Sequence, residues 1–214
     1  MTQLRITEIF NSLQGEARTI GRPTVFVRLT GCPLRCQYCD TTYAFSGGEM
    51  WSLDAILEEV ASYAPRYVTV TGGEPLAQPN CRPLLSALCD AGYEVSLETS
   101  GALDIEGLDP RVSVVLDLKT PDSGESHRNL MENILYLKAR DQVKFVICSR
   151  QDYQWARMKV DELALTDKVD DVLFSPSHGQ VNPVELADWI VGDRLPVRFQ
   201  LQLHKVLWAD EPGR

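Results

Sequence analysis

Seven short runs rich in β-branched and apolar residues recur along this chain: TVFVRL (24–29), RYVTVT (66–71), YEVSLE (93–98), VSVVLDL (112–118), QVKFVI (142–147), DDVLFS (170–175) and VRFQLQL (197–203). Their composition and the turn residues around them predict strands. Helical periodicity fills several of the gaps. A helix is expected over 52–63, capped by Ser52, with Ile56, Leu57 and Val60 on one face. A second is expected over 83–91 and stopped by Gly92, with others at about 126–139, 152–165 and 182–191. Strands alternating with helices build a parallel sheet with the helices outside it. Seven strands with few helices predict an α/β fold, an incomplete parallel β/α barrel with a reduced helix count. The 214 residues fit one domain, 1–214, with no internal repeat, low-complexity tract or linker.

In such folds the loops after the strand C-termini carry the chemistry. Here those loops read TGCPLRCQYCDT, TGGEP, TSG, KTP and SPSHG. The polar and glycine-rich segments therefore fall on one face, which predicts an enzyme. A formal net charge of −9 makes a nucleic-acid partner unexpected, since a phosphate backbone needs a basic face. The start, MTQLRITEIF, has no apolar h-region, and no run of about 18 apolar residues occurs, so neither a secretory signal nor a membrane span is expected. A cytoplasmic location follows, with reduced thiols. Cys81, Cys89 and Cys148 are then read as small buried hydrophobes.

Cys32, Cys36 and Cys39 are different. They form C-x3-C-x2-C within eight residues, and no histidine lies nearby. A structural zinc site closes four ligands, often as two C-x2-C pairs; Asp40 would be an unusual fourth. A redox pair of Cys36 and Cys39 leaves Cys32 idle. A [4Fe–4S] cluster held by three thiolates leaves one iron open to a further ligand. A zinc-binding module without enzymatic activity stays open beside the cluster.

This spacing after the first strand, with Tyr38 before the last cysteine, resembles the radical S-adenosylmethionine superfamily, and the barrel expected here is of that type. The resemblance implies that the open iron binds S-adenosylmethionine, which is cleaved to a 5′-deoxyadenosyl radical. TGGEP (71–75) resembles the segment that meets the methionine ammonium, through a backbone carbonyl or Glu74. Contacts to this cofactor are implied for Tyr38, Cys39, Asp40, Gly73, Asp117, Leu118, Lys119, Ser175, Pro176, Ser177 and His178, with Tyr38 on the adenine and Lys119 against the methionine carboxylate.

The N-terminal stretch EIFNSLQGEARTIGRPTVFVRLTGC, with LETSG (97–101) and QLHK (202–205), resembles the 7-carboxy-7-deazaguanine synthases within that superfamily. That resemblance implies a carbon–nitrogen lyase of queuosine and 7-deazapurine biosynthesis. It converts 6-carboxy-5,6,7,8-tetrahydropterin to 7-carboxy-7-deazaguanine with loss of ammonia. It also implies substrate contacts from Leu13, Gln14, Gly15, Glu16, Arg28, Thr71 and His204, Mg²⁺ at Thr41, an electron donor such as flavodoxin or ferredoxin, and a homodimer. The residue types suit a pterin: Glu16 accepts two adjacent N–H donors, Gln14 donates and accepts, and Arg28 offers a planar fork to a carboxylate. An Arg inside an apolar strand needs an anionic partner. Two departures stand out. Ala17 replaces the glycine of Q-G-E-G, and WADEPGR continues beyond QLHK, so no role is assigned to the C-terminus. A glycyl-radical activase would share the cysteines but lack SLQGE and Arg28.

Overall fold

The computed structural model of the chain describes residues 2–209, 211 and 213. All seven expected strands form, and two unexpected ones join them. β1 (Gln3–Leu13) and β3 (Glu49–Ser52) flank β2 (Pro23–Leu29) in sequence. β4 (Tyr67–Gly72), β5 (Glu94–Thr99), β6 (Ser113–Asp117), β7 (Gln142–Ile147), β8 (Asp171–Pro176) and β9 (Arg198–Phe199) follow. They make one sheet in the order β3-β1-β2-β4-β5-β6-β7-β8-β9. From β2 to β9 every pairing is parallel, whereas β1 runs antiparallel to β2 and to β3. The sheet is therefore mixed at one edge.

Helices cover one face of the sheet. α1 (Leu53–Ser62) starts where Ser52 Oγ accepts the Ala55 N–H at 3.2 Å, as expected of the cap. α2 (Cys81–Asp90) begins two residues earlier than expected, so Cys81 and Cys89 sit inside the helix and are buried. α3 (Arg150–Glu162), the short α4 (Leu165–Lys168), α5 (Pro183–Gly192) and α6 (Leu203–Trp208) complete the set.

Two expectations fail. The segment read as a helix over 126–139 contains only three-residue-per-turn pieces, Ser126–Arg128 and Met131–Tyr136. The asparagines within it bond to other loops instead of permitting helix continuation. The run 197–203 is a strand only at Arg198–Phe199, because its later backbone is used elsewhere: Leu203 N–H donates to Gly15 C=O at 2.9 Å.

The sheet divides its labour by residue parity. Val25, Val27, Leu29, Val68, Val70 and Leu97 pack under α1 and α2, and Leu116, Val143, Phe145 and Phe174 pack under α3 and α5. The alternate positions point to the other face and include the polar Arg28, Thr71, Glu98, Asp117 and Lys144 among apolar neighbours such as Phe26, Val115 and Val146. In register, Arg28 lies beside Thr71 and Asp117 beside Lys144. The apolar core thus lies between sheet and helices, and the opposite face is left for chemistry.

Candidate active site

That polar face lines a cleft of about 290 Å³. Cys32, Cys36 and Cys39, all half-buried, form part of its wall. The loop carrying them is held by the loop after β4. Glu74 N–H donates to Gly31 C=O at 2.8 Å, and a Cβ on Gly73 would lie 2.3 Å from Gly31 O. Gly73 is therefore the residue that lets the two loops touch. Burial pushes the Cys36 thiol up to about 11.

Glu74 does not face the cleft. It is wholly buried, and its carboxylate accepts from Leu76 N–H, Thr99 Oγ1, Ser100 N–H and Ser100 Oγ at 2.5–3.0 Å. With its lone pairs filled, it ties the TGGEP loop to the TSG loop and has no acceptor left for an ammonium.

Tyr38 lies deeper. Burial raises its phenol well above the usual value, and its Oη has no hydrogen-bond partner. Lys119 Nζ stands 5.6 Å from the Tyr38 ring centre and 3.2 Å from Asp117 Oδ2. Asp117 Oδ2 also faces Lys144 Nζ at 3.6 Å, while Asp117 Oδ1 is unpartnered. Burial drives the Asp117 carboxyl upward, but Lys119 and Lys144 outweigh it and hold it below the ordinary range.

The SLQGE loop and the C-terminal QLHK segment also line the cleft, and Lys205 Nζ lies 3.4 Å from Asp40 Oδ2. Lys144 Nζ donates to Glu16 Oε2, and Gln202 Nε2 donates to Glu16 Oε1 at 2.7 Å. Gln14 Nε2 bonds Thr69 Oγ1 at 3.1 Å and Glu98 Oε1 at 3.2 Å, and Thr71 Oγ1 donates to Glu98 Oε2 at 2.9 Å. Burial, and then the Glu16 charge, raise the Glu98 carboxyl. His204 packs on Gly15, where a Cβ would lie 2.0 Å from His204 Nδ1. Burial lowers the His204 pKa, favouring the neutral imidazole. Arg28 Nε donates to Glu8 Oε1 at 2.6 Å, and the guanidinium lies over Phe10 and Tyr43. Ala17 keeps a left-handed backbone, φ 61°, held by Gln200 Oε1 on its N–H and Arg198 on its carbonyl.

A radical S-adenosylmethionine superfamily model matches residues 26–148, more than half of the chain. A 7-carboxy-7-deazaguanine synthase from Chlorobaculum tepidum is 45% identical over 96% of this chain and 94% of its own length. One from Koribacter versatilis is 42% identical over 97% and 98%. The chain belongs to the 7-carboxy-7-deazaguanine synthase family, within the radical S-adenosylmethionine superfamily. The crystal structure of QueE from Escherichia coli shares the fold, with a TM-score of 0.77 at 24% identity over 95% of this chain and 96% of that one.

A member of this family uses a [4Fe–4S] cluster and S-adenosylmethionine. The cleft has the chemistry to receive them: three thiols on one wall, a buried lysine beside them, and two buried oxygens, Tyr38 Oη and Asp117 Oδ1, without partners. Among the described residues, no three His, Cys, Asp or Glu side chains are grouped as a single ion requires. A cluster differs from one ion in that each thiolate binds a different iron.

Most residues assigned from the family pattern line this one cleft: Leu13, Gln14, Gly15, Glu16, Arg28, Cys32, Cys36, Tyr38, Cys39, Asp40, Thr41, Thr71, Gly73, Asp117, Lys119 and His204. Leu118 does not; its side chain belongs to the core under the helices. Ser175, Pro176, Ser177 and His178 also lie outside the cleft lining, and Ser175 Oγ donates to Gln200 C=O. Cys148 is half-buried rather than a core residue. Glu8, Glu98 and Lys144 were not singled out in sequence, although Lys144 and Glu98 carry the signal that exposed Arg28, a charge inside an apolar strand.

Proposed function

We propose that this chain catalyses the ring contraction of 6-carboxy-5,6,7,8-tetrahydropterin to 7-carboxy-7-deazaguanine, with loss of ammonia, as a single domain in the cytoplasm. The observation that carries the reading is the meeting of two motif sets, C-x3-C-x2-C and SLQGE with Arg28, in the lining of one cleft. No helix among the described residues is long and apolar enough to cross a membrane.

Cys32, Cys36 and Cys39 hold the cluster, and the Gly73 loop fixes the shape of their segment. When bound, cluster and S-adenosylmethionine supply the radical that starts the rearrangement. Tyr38 packs on the adenine, Lys119 faces the methionine carboxylate, and the backbone near Gly73 meets the ammonium. Glu16 and Gln14 recognise the 2-amino-4-oxo edge of the pterin. Arg28 binds the substrate carboxylate through its terminal nitrogens, since only Nε is engaged by Glu8. Neutral His204 donates or accepts one proton beside Gly15.

At Thr41 the hydroxyl donates to Asp40 Oδ1 at 2.8 Å and does not cap the turn that follows. Thr41 would hold a Mg²⁺ ion, which would supply a positive charge beside the substrate. An electron donor of the flavodoxin or ferredoxin type supplies the reducing equivalent, and the working unit is a homodimer.

Anaerobic incubation of iron-loaded protein with 6-carboxytetrahydropterin, S-adenosylmethionine and dithionite tests the reading. The deazapurine chromophore is expected to grow with time. Full iron loading and reductive cleavage of S-adenosylmethionine without that product would point to a different substrate.

A further inference from the structure

The segment after β6 forms no α-helix, and its side chains show what it does instead. Asn129 Oδ1 accepts the Lys119 N–H at 2.9 Å, and Asn129 Nδ2 donates to the Lys119 C=O at 2.9 Å. One side-chain amide thus satisfies both backbone groups of a single residue, as a neighbouring strand would. Only one orientation of the amide can do so, because the donor must meet the carbonyl. β6 ends at Asp117, and the clamp continues the constraint two residues further, where no strand partner serves Lys119. Next along, Thr120 Oγ1 donates to Val146 C=O and to Asp152 Oδ2, both at 2.9 Å. Asn129 is itself anchored, since the following Leu130 N–H donates to Gly101 C=O at 2.9 Å.

The residue so held is the buried lysine of the cleft, between the Tyr38 ring and Asp117. A lysine side chain has four rotatable bonds, so its ammonium is placed only as well as its backbone is fixed. We propose that Asn129 is a positioning residue that aims Lys119 at the carboxylate of S-adenosylmethionine. The inference rests on the function proposed above. It adds a residue outside the cleft lining that acts only through Lys119.

The test is calorimetric titration of S-adenosylmethionine into anaerobic, cluster-loaded protein. Asn129→Ala is expected to weaken binding about tenfold. Asn129→Asp keeps the shape but sets a carboxylate against the Lys119 carbonyl, and it is expected to weaken binding at least as much while folding normally. In a Lys119→Met background either change is expected to alter binding by less than about twofold, because the group it aims is gone. The KM for the pterin is expected to stay at its native value. Asn129 variants that bind S-adenosylmethionine as the native protein does overturn the clamp, as does the same loss with or without Lys119, which marks a structural effect. Native protein that binds no S-adenosylmethionine overturns the functional reading and the clamp with it.

Discussion

Glu8 and Arg28 sit directly opposite each other on β1 and β2, and the carboxylate meets only the Nε edge of the guanidinium, at 2.6 Å. Tyr43 Oη donates to the same carboxylate oxygen at 2.8 Å. The arginine is thereby held by one edge, over two aromatic rings, in the lining of the cleft. A partly buried cation pre-aimed in this way spends little entropy when an anion arrives.

Arg28→Met is therefore expected to weaken pterin binding by about 2–5 kcal/mol and to leave S-adenosylmethionine binding near its native value. Titration of each ligand separately checks it. Equal loss for both would mean that Arg28 supports the fold or the cofactor.

Cys36→Ala is expected to abolish iron loading and turnover while the protein stays folded, because the apolar core lies on the other face of the sheet. Cys89→Ala, on the helix face in α2, is expected to leave the iron content unchanged. Iron analysis compares the two; a comparable loss in Cys89→Ala would mean that the cluster is held by other thiols.

Two glycines separate rigid from yielding neighbours. At Gly73 an added methyl meets backbone, 2.3 Å from Gly31 O, and Cys32 Cβ at 2.8 Å. Gly73→Ala is expected to displace the cysteine loop, costing about 1–3 kcal/mol in stability and lowering iron retention. At Gly15 the three atoms nearest the methyl all belong to the His204 side chain, which can yield by changing rotamer where backbone cannot. Gly15→Ala is expected to keep iron and melting temperature but raise the KM for the pterin. Thermal melts with iron analysis distinguish them, and intact iron in Gly73→Ala would show that the loops tolerate separation.

Much of this was legible in the residues. The parallel strands announced themselves because each is buried on one face and bounded by turn residues. β1 did not, since QLRITEIFNSL mixes charged and apolar residues without the continuous apolar run of the parallel strands, although its partner β2 is the next strand in sequence. For that reason the Glu8 side of the Arg28 pair was invisible. The 126–139 segment misled because Leu130, Ile134 and Leu137 keep helical spacing, while Asn129 and Asn133 prefer partners in other loops. The sequence does not separate the two groups offered for the ammonium, a backbone carbonyl or Glu74, because it shows a carboxylate after two glycines but not the four donor groups waiting in neighbouring elements.

Glu98 sets a pH dependence. Burial and the Glu16 charge raise its carboxyl above the unfolded value of about 4.3. The folded state therefore holds a proton that the unfolded chain has lost, and stability falls as pH rises from the unfolded pKa to the folded one. Above the folded pKa the full cost persists. Glu98→Gln removes it, so the variant is expected to melt higher than native at pH 8, with the gap closing as pH falls toward about 4. Melting curves across that range decide it. A gap that widens on acidification would show the opposite shift.

For Thr41, magnesium is expected to tighten pterin binding and raise turnover, because a divalent ion can bridge the hydroxyl and the substrate oxygens. Thr41→Ala is expected to blunt that response with unchanged iron. If chelation of divalent metal alters neither binding nor rate in native protein, the ion has no role there.

The parity of the sheet has an evolutionary reading. In a closed β/α barrel the inward side chains fill a core, so altering them endangers the scaffold. Here the apolar packing of β2, β4, β5, β6 and β7 lies one residue out of phase with Arg28, Thr71, Glu98, Asp117 and Lys144. Recognition and folding are thus written on alternate letters of the same strands. A lineage with this layout can drift toward new substrates by single changes on the open face, while purifying selection on the covered face keeps the architecture in place.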